Sequence, residues 1–259
     1  MNAPLPLPIT APPPGGTRGL VSGFTAFLTG LKLVLPGGGL FKYALAPVVV
    51  SAIVLVGVAI GAFFGAKYLL VEWLEESWIG WLGGVLAFIL TLLLAYFLFV
   101  PVMTIFGPLF IDPICERVYM RYTGRELIGD RSASGFLKRQ LFALVQALKW
   151  TLVMLFIQIP LAIGAMITGV LAVAAVPIGA ILMGTDLMDY PLALKDFTLK
   201  RKLNWAKQNF WAAAGMGAGA SLFLLIPGVN LFVVPAGAAA ATILAIATEN
   251  AESETAEQT

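Results

Sequence analysis

Histidine is missing from all 259 residues, cysteine occurs once, and charged side chains make up only 12% of the chain. Without histidine there is no Ser-His hydrolase, no imidazole general base and no His-containing metal site. One cysteine, Cys115, cannot close an intrachain disulfide or build a thiolate zinc centre, and with only Arg117 close enough to activate it, it reads as a packing residue. No glycine-rich phosphate loop stands in a strand-to-helix setting, and no pair of aspartates lies inside an apolar run. Asp186 and Asp189 are three apart at the edge of one, where solvated helix-end carboxylates are the plainer reading. An enzyme, a cofactor and a metal are therefore not expected.

What remains is apolar. Hydrophobic residues are 59% of the sequence, and four uncharged runs, Tyr43–Ala66, Ser77–Ile111, Trp150–Thr185 and Gln208–Thr248, each exceed the roughly 18 residues that nominate a membrane-spanning helix. The expected class is an all-α integral membrane protein. Ser77–Ile111 is too long for one span, and Pro101 and Gly107-Pro108 end its helix early, which leaves a span at about Gly83 to Val100 followed by broken apolar backbone. The first run predicts a second long helix, from Tyr43 to about Leu70.

Basic residues set the orientation. Of sixteen, Arg18, Lys32 and Lys42 precede the first long helix, Lys67 alone separates the two long helices, seven fall between Arg117 and Lys149, and five between Lys195 and Lys207. The excess of cations on one side puts the N-terminus and the 112–149 and 186–207 segments in the cytoplasm. A run flanked by cytoplasmic segments on both sides must turn back. Trp150–Thr185, with Pro160, Gly164, Gly169 and Pro177, and Gln208–Thr248, with Pro227-Gly-Val-Asn230, therefore predict two hairpins of partly penetrating helices. Asn230 either lines a cavity at depth or is a turn residue near the far interface.

Amphipathic interfacial helices complete the expectation. One covers Leu20 to Leu35; a second follows Ser134, with Leu137, Leu141, Leu144, Val145 and Leu148 opposite Lys138, Arg139, Gln146 and Lys149; a third interleaves Phe197, Leu199, Leu203 and Trp205 with Lys195, Lys200, Arg201, Lys202 and Lys207. Their cations suit topology and anionic lipid better than nucleic acid, which is not an expected partner. The domain reading is a disordered Pro-rich tail at 1–19, one membrane domain at 20–248 and an acidic disordered tail at 249–259.

Four pieces in this order and spacing, Gly39-Leu-Phe-Lys-Tyr-Ala-Leu-Ala-Pro47, Gly107-Pro-Leu-Phe-Ile-Asp-Pro-Ile-Cys-Glu-Arg117, Met188-Asp-Tyr-Pro191 and Ile226-Pro-Gly-Val-Asn-Leu-Phe-Val-Val-Pro235, resemble the CysZ-type sulfate permease family, grouped with the etoposide-induced protein 2.4-like proteins. The resemblance runs from about Phe24 to Thr242. It implies two long transmembrane helices and two pairs of partly penetrating helices, with both termini cytoplasmic. It also implies a sulfate site at a Gly-Leu-Arg-Arg type motif that opens the first long helix, and a charged position after the 107–115 helix exit along the permeation route. Here the motif reads Gly39, Leu40, Phe41 and Lys42, so one of two cations remains.

On that basis Gly39, Leu40 and Lys42 are the candidate anion-binding residues, and Glu116, Arg117 and Asn230 the candidates for the path. A glycine run opening a helix can turn backbone N–H groups and the helix dipole toward an oxyanion. Lys42 reads equally as a snorkelling helix-end lysine, and Glu116 as a helix N-terminal carboxylate. The expected function is a bacterial inner-membrane permease or channel for sulfate or a related oxyanion, working as a homo-oligomer because no single helix is polar enough to line a pore. Gly57, Gly61 and Gly65 offer close helix contact for an oligomer or within one subunit. The competing reading is a non-transporting scaffold that binds anionic lipid.

Overall fold

Small residues decide which helix becomes the centre. The stretch from Val233 carries Ala236, Gly237, Ala238, Ala239, Ala240 and Ala241, and so many short side chains let neighbouring helices approach from every side. In the computed structural model, which describes residues 5–9, 15–46, 49–50, 53, 57, 60–61, 110–127, 133–168 and 170–257, this stretch is the buried start of the last helix. Every regular element among the described residues is helical. They are α1 (Gly16–Val34), α2 (from 41, described continuously to 46), α3 (110–123), α4 (Ala133–Thr168), α5 (Val170–Leu187), α6 (Asp189–Leu194), α7 (Leu199–Gln208), α8 (Phe210–Leu224), a 3-10 turn (Val229–Phe232) and α9 (Val233–Glu257).

The chain divides into two compact units, one of Met1–Ala44 with Leu109–Thr259 and one of Leu45–Pro108. In the second, the described positions are helical, and Val49, Ile53 and Ile60 turn apolar side chains outward. Most of the two long helices expected at 43–70 and 83–100, with the segment between them, lies outside the described residues.

The first unit is built on α9 and two hairpins. In one, α5 folds back along α4, so that Trp150 meets Leu182 and donates its indole N–H to Asp186 Oδ1 at 3.2 Å. In the other, α8 returns as α9 through the turn at Pro227-Gly228, with Gly228 at φ 83°. The hairpins meet backbone to backbone. A Cβ on Gly184 would lie 1.8 Å from the Ala213 carbonyl oxygen, and one on Gly217 would lie 1.8 Å from that of Ala180. These pairings make α5 and α8 antiparallel, so both hairpin apexes point the same way, and the basic 195–207 segment lies at the opposite end.

Three expectations change. Pro160 and Pro177 sit inside α4 and α5, while α4 ends at Thr168 and α5 begins at Val170, on either side of Gly169, another of the four positions named for the turn. A mid-helix proline forfeits one backbone bond, and packing restores the loss where neighbours cover the gap. The amphipathic stretch after Ser134 is not a separate helix but the first half of α4, whose 36 residues reach about 54 Å at 1.5 Å each. Finally, α1 is amphipathic as expected but buries its small face, Gly19, Ser22, Gly23, Ala26, Phe27 and Gly30, against α8 and α9.

The segments read as tails are also partly engaged. Leu5 donates its backbone N–H to the Arg121 carbonyl at 3.1 Å and Ile9 is buried. At the other terminus the acidic segment from Glu249 forms the last turns of α9, and the Glu249 carboxylate is held by Lys195 and by the Tyr119 hydroxyl.

Two helices, Val173–Leu194 and Val229–Ser253, are long and apolar enough to cross a membrane. They behave differently. The second is mostly buried, whereas α4 and α5 expose Phe156 at 82%, Val173 at 77% and Val176 at 73%, an apolar surface that a soluble protein would bury and that lipid accommodates. Cys115 is the packing residue the sequence predicts: it is buried, with Sγ 3.8 Å from the Ala238 carbonyl, and burial pushes its thiol pKa up to about 12. Native protein in detergent should therefore take up no maleimide, and denatured protein one equivalent; rapid labelling of the native form would contradict this packing.

Candidate functional site

The site begins at a chain joint. After α1, Pro36-Gly-Gly-Gly39 turns the chain toward α2, with Gly37 at φ 90° and Gly38 so close to Leu33 that a Cβ would lie 2.2 Å from its carbonyl oxygen. Neither position tolerates a side chain. The turn uses its own donors: the Leu40 N–H bonds the Leu33 carbonyl at 2.9 Å and the Phe41 N–H bonds Gly38 at 3.3 Å. Leu40 itself is buried in the core. The backbone cradle expected at Leu40 is thus spent on the turn, and attraction for an anion falls to side chains.

Those side chains converge from two elements. The Lys42 ammonium stands 5.2 Å from the centroid of the Tyr43 ring, and the Arg117 guanidinium, from α3, stands 4.1 Å from the same ring. One turn further along α3, Arg121 places Nη1 3.3 Å from where a Cβ on Gly39 would be, so glycine is also the residue that makes room for this cation. Arg117 and Arg121 are both exposed. Three cations around one aromatic ring and one glycine repel one another unless something negative comes between them. Glu116, beside Arg117, is half-buried on the same helix.

Asn230 is not part of this group. It is exposed in the 3-10 turn, where its backbone N–H bonds the Ile226 carbonyl at 3.1 Å. The turn nevertheless reaches the joint, because Phe232 stacks on Phe41 with centroids 5.9 Å apart and ring planes 29° apart. Phe41, standing where the resemblance expects arginine, is therefore a packing contact with the tip of the second hairpin.

Two polar clusters escaped the sequence reading. Lys202 is 2% exposed and its ammonium pairs with Asp189, while Asp186, exposed as a helix-end carboxylate would be, also accepts the Trp150 N–H. Lys202 lies three residues from both Leu199 and Trp205, on the apolar face of α7, and that spacing was the available signal. The second cluster joins three elements. Lys195 pairs with Glu249, Tyr119 donates its hydroxyl to Glu249 Oε2 at 3.1 Å, and the Lys195 ammonium lies 5.0 Å from the Tyr119 ring. Burial lowers the Lys195 pKa despite the carboxylate, and burial together with Glu249 raises that of Tyr119 to about 12.

Helices throughout the described residues, with apolar side chains turned outward from α4 and α5, define an all-α membrane protein, and Lys42 and Arg117 meet the Tyr43 ring at its joint. Residues 26–235 match the family model described as Sulfate transporter CysZ/Etoposide-induced protein 2.4, and the chain belongs to that family. It is 29% identical over 230 residues to a sulfate transporter CysZ of Pseudomonas paraeruginosa, an alignment covering 83% of this chain and 90% of that protein. It is also 27% identical over 248 residues to one from Pseudomonas fluorescens, covering 90% and 96%. A third, from Pseudomonas syringae pv. tomato, is 28% identical over 235 residues, covering 83% and 87%.

Proposed function

We propose that this protein is an inner-membrane permease or channel that admits sulfate or a related oxyanion to the cytoplasm. One observation carries the reading: Lys42, Arg117 and Arg121 gather around Gly39 and Tyr43 beside the tip of a hairpin. A tetrahedral dianion carries oxygens on every side, so a lysine point charge and two guanidinium forks from a second helix can share it. Sharing compensates for the arginine that Phe41 replaces. Selection then rests on charge and reach, and broader oxyanion acceptance follows than from a pair of adjacent arginines.

Both termini lie in the cytoplasm in this reading, because the basic 195–207 segment lies at the end of the first unit opposite the hairpin apexes. The protein works as a homo-oligomer within one membrane domain, and its basic cytoplasmic surface meets anionic lipid. Gly57 and Gly61, four apart on one helix, permit the close helix contact that association of copies would use.

Uptake of labelled sulfate into proteoliposomes tests the proposal. Wild-type protein should admit sulfate above empty liposomes, and Lys42→Ala and Arg117→Ala should each lower initial uptake at subsaturating sulfate by about tenfold, the worth of one charge-assisted hydrogen bond. Asn230→Ala should have a smaller effect. No uptake by folded, inserted wild-type protein would overturn the proposal in favour of a lipid-binding scaffold.

A further inference from the structure

At the end of the first unit away from the hairpin apexes, α7, α9 and the turn between α6 and α7 form a cavity of about 210 Å³ that none of Gly39, Lys42, Arg117 or Arg121 lines. The turn is held by Asp196 in the left-handed region at φ 54°. Leu192, Trp205 and Phe197 give it apolar lining, beside the polar Asn204, Gln208 and Thr248. Its rim carries two cations, Lys195 and Arg201, and two carboxylates, Glu249 and Glu252. This balance is selective. A free oxyanion would meet two carboxylates, and a free cation would meet a lysine and an arginine, so a ligand of either single sign is disfavoured.

We propose that this cavity binds a small zwitterion with an apolar body, namely a free α-amino acid with an aliphatic or thioether side chain. The Arg201 guanidinium carbon stands 4.1 Å from the centroid of the Phe197 ring, and a guanidinium held there can grip a carboxylate at two points. Glu249 is engaged by Lys195 and Tyr119, which assigns the ligand's ammonium group to Glu252. The side chain then rests on Trp205 and Leu192.

Isothermal titration calorimetry on the purified full-length protein in detergent tests the site without reference to transport. L-alanine, L-valine, L-leucine and L-methionine are the probes. At least one should bind saturably, and Arg201→Gln and Glu252→Gln, on different helices and both exposed, should each weaken it by about tenfold. N-acetyl-L-leucine and L-leucinamide, which each keep one charge, should bind the wild-type protein at least as much more weakly. Absence of saturable binding by all four amino acids, or equal binding of the single-charge analogues, would overturn the proposal. So would undiminished binding by both variants.

Discussion

Gly217→Val is expected to separate the two hairpins. Any Cβ at Gly217 would stand 1.8 Å from the Ala180 carbonyl oxygen and 2.5 Å from the Gly184 amide nitrogen, and these are backbone atoms of α5 that cannot rotate aside. Overpacking among side chains costs roughly 1–3 kcal/mol. Here the helix axes themselves must part, and the contact at Gly184 against Ala213 is lost with them, so the cost lies at or beyond the top of that range. For a chain of this size about 3 kcal/mol lowers the melting temperature by roughly 10 °C. Gly179→Ala supplies the comparison, because it lies on α5, the other helix of this contact, with nothing within 4 Å of its prospective Cβ. It should be neutral or gain up to about 1 kcal/mol from helix propensity. Equal melting temperatures for Gly217→Val and wild type in detergent would sink the backbone contact.

Lys202→Met should be comparably severe for an electrostatic reason. The ammonium group is buried against Asp189, whose side chain is 18% exposed, and removing the cation leaves the carboxylate without its ion-pair partner. Breaking a buried pair from one side costs about 3–5 kcal/mol. The slight exposure of Asp189 lets water relieve part of that, which places the expected loss near the lower figure. The double variant Lys202→Met with Asp189→Leu should recover most of it, since an apolar pair of similar volume leaves no stranded charge. A double variant as unstable as the single one would assign Lys202 a packing role, with no share for its charge.

Much of the architecture was legible because it follows from charge bookkeeping and turn chemistry. The even crossing number between basic segments called for hairpins, and Pro227-Gly228 marked one apex. What the sequence hid is which faces meet. Five cations between Lys195 and Lys207 look alike along the chain, yet one is buried on Asp189, one is tied to Glu249 and one is stacked on Phe197. Those assignments depend on helices that come together only in the folded unit. The same holds at the joint. Gly39 and Lys42 were candidates because the family resemblance implies an anion motif there, and Arg117 because it implies a charged position after the helix exit. That Arg121 would approach Gly39 follows only from the contact of α3 with the joint, although its i, i+4 relation to Arg117 puts both on one face.

The stack of Phe41 on Phe232 has a mechanical meaning. Lys42 is the next residue along, so its charge rides on a short lever whose fulcrum is an aromatic contact with a hairpin tip. The position that would otherwise carry a second cation serves here as a linkage. A shift of the tip would reach Phe41 first and Lys42 one peptide bond later.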